Sequence, residues 1–158
     1  MKHIVVTTDF SKEAESAFDY AKELVQLIGK EKSKITLLKV IDEVAPTNIT
    51  FEFGLAIADK KSMVKNLQKD ALEKIREIAE KHFTGFPVET VVISPSNPVY
   101  QEITEFAKTH NADLIVMSTH GRTGIKHLLL GSVAERVIRQ SPYPVTVVPA
   151  KSARKESS

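Results

Sequence analysis

Five short apolar runs separated by segments of helical periodicity constrain this chain more than any other feature. The runs are residues 3–8, 34–41, 88–93, 112–118 and 145–148. Each is too short for a buried helix and rich in Val, Ile and Leu, so each predicts a strand. The first two and the fourth lack clean polar alternation, which is the pattern of strands covered on both faces. Glu89 and Thr90 make the third more polar, which suits a sheet edge.

The intervening segments repeat apolar residues at spacings of three and four. Ser11 is the expected N-cap of the first helix, whose buried face carries Ala14, Ala17, Phe18, Ala21, Leu24, Val25 and Ile28 and which stops at Gly29. The second helix spans about residues 59–82, with Val64, Leu67, Ala71, Ile75, Ile78 and Ala79 on one face and Gly85 and Pro87 as its close. Asn97 is the expected cap of the third, with Pro98 at its first position and Val99, Ile103, Phe106 and Ala107 facing inward. The fourth starts near Ser132 and carries Val133, Val137 and Ile138 before Pro142 and Pro144 end it. Residues 42–58 contain Pro46 and Asn48 and predict a long loop, and residues 151–158 a polar tail.

Strands alternating with helices imply an α/β fold, a doubly wound parallel sheet with helices on both faces. A chain of 158 residues supplies one domain with its own core, taken here as residues 1–150. Ligands of such sheets bind beyond the carboxyl ends of the strands, where the strand order reverses. Two strand ends carry the chemistry: Asp9 after the first strand, and residues 118–124 after the fourth. If those strands are neighbours, both ends face one crevice.

The second of these ends reads strand, glycine-bearing loop, helix start. Gly121, Gly124 and Gly131 let a ligand approach the backbone closely, and the unpartnered N–H groups of a helix N-terminus favour an anion. The segment therefore reads as a phosphate cradle, with Arg122 and Lys126 either neutralising the phosphates or standing as solvated loop charges. Competing readings are structural. Ser132-Val133-Ala134-Glu135 has the form of a capping box, the glycines can serve ordinary turns, and Asp9 can bond its own backbone. Tyr143, between Pro142 and Pro144, reads as packing.

Several classes are excluded or lack a signal. A formal net charge of +2 offers no basic face for nucleic acid, and no apolar run reaches membrane-spanning length. Zero cysteines rule out disulfides, thiolate metal sites and cysteine catalysis. The opening Met1-Lys2-His3-Ile4 enters a strand at once rather than a signal-peptide layout, so a cytoplasmic location is expected. His120 and His127 lack the carboxylate neighbours of a zinc site. The phosphate loop with Gly-Lys-Ser/Thr, the dinucleotide fingerprint and the serine nucleophile elbow are all missing. Asp9 could serve as a general base, but nothing in the sequence places a water beside it, so no catalytic residue is assigned.

From Ser118 through Gly121, Gly131 and Ser132, with residues 122–130 as the intervening nine, the chain resembles the universal stress protein family, in its ATP-binding branch. The family motif is Gly, two residues, Gly, nine residues, Gly, then Ser or Thr. The spacing is kept, and Ser118 stands in the first glycine's place. The likeness covers about residues 1–149. It implies that Asp9 touches the nucleoside, that Val40 contacts adenine, and that Met117, Thr7 (where some ATP binders have proline), Arg122, Gly124 and Val133 complete the site. It further implies strand order 3-2-1-4-5 and a homodimer through the fifth strand. The ligand would be ATP, or ADP or AMP, with magnesium or manganese arriving on the phosphates. The resulting expectation is a nucleotide-dependent stress-response switch or sensor with slow hydrolysis at most. The rivals are a dimeric interaction protein with an empty, structural glycine loop, a flavin or other adenine-nucleotide carrier, and an active ATPase or phosphotransferase.

Overall fold

In the computed structural model, residues 2–42, 57–119 and 130–150 are described. In chain order the elements are β1 (His3–Thr7), α1 (Glu15–Ile28), a 3-10 turn (Lys30–Lys32), β2 (Lys34–Val40), α2 (Ile57–His82), β3 (Val88–Ile93), α3 (Val99–Thr109), β4 (Leu114–Ser118), α4 (Ser132–Gln140) and β5 (Val145–Val148). The strands form one all-parallel sheet in the order β3-β2-β1-β4-β5. β1 pairs with β2 on one side and β4 on the other, with Val5 opposite both Thr36 and Ile115. β3 is an edge, as its polar residues predict.

Both sheet faces are covered, which is why the central strands are apolar at successive positions. Ile4 and Val6 of β1 join Leu37, Leu114 and Val116 against Phe18 and Val25 of α1 and Ile75 of α2. Val5 faces the other way, with Leu38, Ile115 and Met117 against Ile103 and Phe106 of α3 and Val137 of α4. A fully buried side chain such as Phe18 contributes roughly 1.5–3 kcal/mol through removal from water.

The helix starts differ from expectation. Ser11 is not the N-cap of α1: the chain makes one extra turn, in which the Ser11 carbonyl and hydroxyl both accept from the Ala14 N–H, at 3.3 and 3.4 Å, and the helix begins at Glu15. Gly29 does end it, at φ 102°, a conformation that glycine adopts without steric cost. Asn97 does not cap α3. Pro98 is extended (ψ 144°), the helix starts one residue later, and Glu102 reaches back to accept from the backbone N–H groups of Ser96 and Asn97 at 2.9 and 2.8 Å. Among the described side chains of α2, Ala71 is the first that is buried, with Val64 partly buried ahead of it. Leu67, assigned to its buried face, is exposed, as is Met63. β1 and β2 end one residue earlier than expected, at Thr7 and Val40, and β4 starts two residues later, at Leu114, with the Ala112 N–H turned back to the Ala107 carbonyl of α3.

Candidate functional site

The sheet order changes direction between β1 and β4, and a cleft of about 330 Å³ opens there beyond the carboxyl ends of the strands. Thr7 and Asp9 enter it from the end of β1, Val40 from β2, and Met117 and Ser118 from β4. Gly131, Ser132 and Val133 line it from the start of α4. Eight of the twelve residues singled out for the nucleotide in the sequence thus meet around one volume. The other four, Gly121, Arg122, Gly124 and Lys126, lie outside the described residues.

The α4 end is fixed by backbone. Thr119 N–H donates to the Val148 carbonyl at 3.0 Å, and Gly131 N–H donates to the Thr119 carbonyl at 2.8 Å. A Cβ on Gly131 would stand 3.2 Å from that same carbonyl oxygen, so glycine is what allows this close approach. Gly131, with φ −60° and ψ 148°, is itself the N-cap, and no side chain among the described residues caps the helix. The expected capping box is therefore not formed. Ser132 is the first helical residue and is exposed. The N–H groups of the first helical turn have no partner within the helix and carry partial positive charge toward the cleft.

Asp9 anchors the opposite side. Its Oδ1 accepts from the Ser11 N–H at 3.0 Å and from the Ser11 hydroxyl at 2.5 Å. The local turn reading of Asp9 therefore holds alongside its place in the cleft. Thr8 N–H extends the sheet ladder to the Leu38 carbonyl at 2.9 Å, and Thr8 Oγ1 accepts from the Phe10 N–H at 3.0 Å.

Much of the remaining wall is apolar: Leu38, Val99, Ile103 and Ala134. The sequence marks Val99 and Ile103 only as the inner face of a helix. Periodicity marks a residue as buried without saying that its neighbour is a cavity. Lys39 was missed as well. It is only 5 % exposed, lines the cleft, and sits with its Nζ 3.9 Å from an Asp42 carboxylate oxygen. Its signal was available, as a lysine interrupting the run Leu37-Leu38-Lys39-Val40. Among the described residues, no three His, Asp or Glu side chains are grouped to hold a metal ion, and no helix is long and apolar enough to cross a membrane.

Residues 1–149 match the family described as the universal stress protein family. Universal stress protein MJ0577 of Methanocaldococcus jannaschii is 32% identical over 163 aligned positions, covering 96% of this chain and 97% of that protein. Universal stress protein MJ0531 of the same organism is 34% identical over 155, covering 98% and 85%. The solved structure of MJ0577 superposes with a TM-score of 0.76 at 33% identity, over 95% of this chain and 96% of that one. A universal stress protein in complex with cAMP shares the fold at a TM-score of 0.60 and 21% identity, over 94% and 96%. The chain belongs to the universal stress protein family.

Proposed function

We propose that this protein binds an adenine nucleotide, ATP in the first instance, in the cleft between β1 and β4, and acts as a nucleotide-dependent switch in a stress response. The observation that carries this reading is the cleft itself. An apolar wall, a carboxylate and a helix N-terminus surround one volume at the reversal of strand order. Adenine packs against Val40 and Met117, with Val99 and Ile103 beneath it. The ribose hydroxyls donate to Asp9. The phosphates lie toward Gly131, Ser132 and Val133, where the first turn of α4 offers N–H groups, and the segment holding Gly121, Arg122 and Gly124 completes the cradle. Kinship with a universal stress protein solved in complex with cAMP supports the choice of an adenine nucleotide.

Magnesium or manganese would arrive on the phosphates rather than be held by a protein cage. Hydrolysis is slow at most, and the nucleotide state is the signal. The protein works in the cytoplasm as a homodimer joined along β5, the free edge of the sheet beside β4, where Val145, Thr146 and Val147 are half-buried.

The test begins with the purified protein. It is denatured and filtered, and any released small molecule is identified by mass spectrometry. Nucleotide-free protein is then titrated with ATP by calorimetry. ATP or ADP in near-stoichiometric amount, or saturable ATP binding, is expected. Failure of both overturns the reading in favour of an interaction protein with an empty cleft.

A further inference from the structure

Phe10 adopts φ 68°, in the left-handed region that bulky residues with a Cβ rarely enter. It does so between Asp9, which lines the cleft, and Ser11, which holds the Asp9 carboxylate. A conformation of this kind persists only where its surroundings over-determine it, and such residues cluster at binding sites. The surroundings here are identifiable. Its N–H is held by Thr8 Oγ1 at 3.0 Å. Its ring packs on the core formed with α1 and α2. Two ammonium groups flank that ring, with Lys39 Nζ at 5.4 Å and Lys74 Nζ at 5.0 Å from its centroid.

The consequence is a division of labour between consecutive residues. Phe10 anchors to the face of the sheet covered by α1 and α2, while Asp9 serves the cleft on the face covered by α3 and α4. The left-handed turn at Phe10 is also what brings the Ser11 N–H and hydroxyl back onto Asp9 Oδ1. We propose that Phe10 is a positioning residue: its ring, clasped by Lys39 and Lys74, holds the turn that aims the Asp9 carboxylate at the ribose hydroxyls of the bound nucleotide. This rests on the nucleotide reading above.

The test compares ATP with 2′,3′-dideoxy-ATP, which lacks the hydroxyls that Asp9 would hold. Wild-type protein binds ATP more tightly by roughly ten- to a hundredfold, the range of a hydrogen bond to a charged group. Phe10→Gly accepts the left-handed backbone without strain but lacks the ring. It loses most of that preference, with dideoxy-ATP affinity changed by less than about twofold. Phe10→Tyr keeps the ring and restores the preference. A Phe10→Gly protein that weakens both nucleotides by the same factor, or keeps the full wild-type preference, overturns the positioning role and leaves the nucleotide reading standing. A wild-type protein that binds both nucleotides equally overturns the ribose contact of Asp9 and this inference with it. If Phe10→Gly does not fold, Phe10→Asn, which tolerates the left-handed region, is read by the same comparison.

Discussion

The Nε2 atom of His3 lies 2.8 Å from Oγ1 of Thr36, inside the lower end of the sheet. The same hydroxyl donates to Oε1 of Glu89 at 2.7 Å. A hydroxyl has one proton to give, so Nε2 is the donor in its bond with Thr36. One chain of polar contacts therefore crosses β1, β2 and β3. Lys34 joins it through Glu89 at 2.7 Å, and the His110 carbonyl just after α3 faces His3 Nδ1 at 3.0 Å.

Thr36 is 0 % exposed, so the hydroxyl cannot be replaced by water without rearrangement. Thr36→Val keeps the shape and strands the His3 Nε2 donor. A loss of about 1–3 kcal/mol is expected, the cost of an unsatisfied buried polar group. Urea unfolding of the variant beside wild type and Thr36→Ser checks it, and Thr36→Ser should recover much of the loss. Nucleotide affinity should stay unchanged, because this network sits at the end of the sheet away from the cleft.

The same end of the sheet sets part of the acid response. Burial pushes the Glu89 carboxyl up, but hydrogen bonds from Lys34 and Thr36 and the charges of Lys34 and His3 outweigh it, leaving the group below its usual 4.5. Backbone N–H groups of Lys2 and His3 hold Asp113 below its usual 3.8. A carboxylate lowered in the folded state stabilises the fold above its unfolded value, and that contribution disappears as pH falls through the folded value. Stability should therefore decline from about pH 5 downward. Asp113→Asn should be less stable than wild type at neutral pH and lose less between neutral and acid. Thermal unfolding across that range measures it, and an unchanged slope would refute the assignment.

Asp9 carries the most direct test of the cleft. Asp9→Asn retains a carbonyl oxygen to accept from the Ser11 N–H and hydroxyl, so the turn survives while the charge is lost. A hydrogen bond to a charged group is worth about 1.5–3 kcal/mol. ATP affinity should fall roughly ten- to a hundredfold with little change in melting temperature. Equal dissociation constants by calorimetry would remove Asp9 from the site.

The architecture could be read from the chain because its cause is local. Ile4, Val5 and Val6 are apolar in succession only because helices cover both faces, and β3 and β5 match their expected limits residue for residue. The strand order was not written in that pattern; it came from likeness to a family, since periodicity does not record which strands pair. Helix starts depart from the sequence pattern for a different reason. Ser11, Asn97 and Ser132 all have capping chemistry, but whether a side chain caps depends on the φ and ψ of its neighbours. Pro98 and Gly131 took the cap positions of α3 and α4, and Ala14 that of α1. In the cleft, residues at strand ends were found by motif. Val99, Ile103 and Lys39 were not, because each looks like an ordinary core or surface residue until the opposite wall is known.

Ser132 separates the structural and functional accounts of the α4 start. Were it the N-cap, its removal would cost about 1 kcal/mol of stability. Gly131 holds that position instead, and no side chain among the described residues caps the helix. Ser132→Ala should therefore alter stability by no more than about 0.5 kcal/mol, the usual range for an exposed position. The hydroxyl stands at the rim of the cleft, within the first turn whose N–H groups face the phosphates in the proposed complex. The variant should bind ATP more weakly, by roughly threefold to tenfold for the loss of one neutral hydrogen bond. Urea unfolding and calorimetric titration on the same preparation decide it. A stability loss with unchanged affinity would restore the capping role, and an affinity loss at constant stability would mark Ser132 as part of the phosphate cradle.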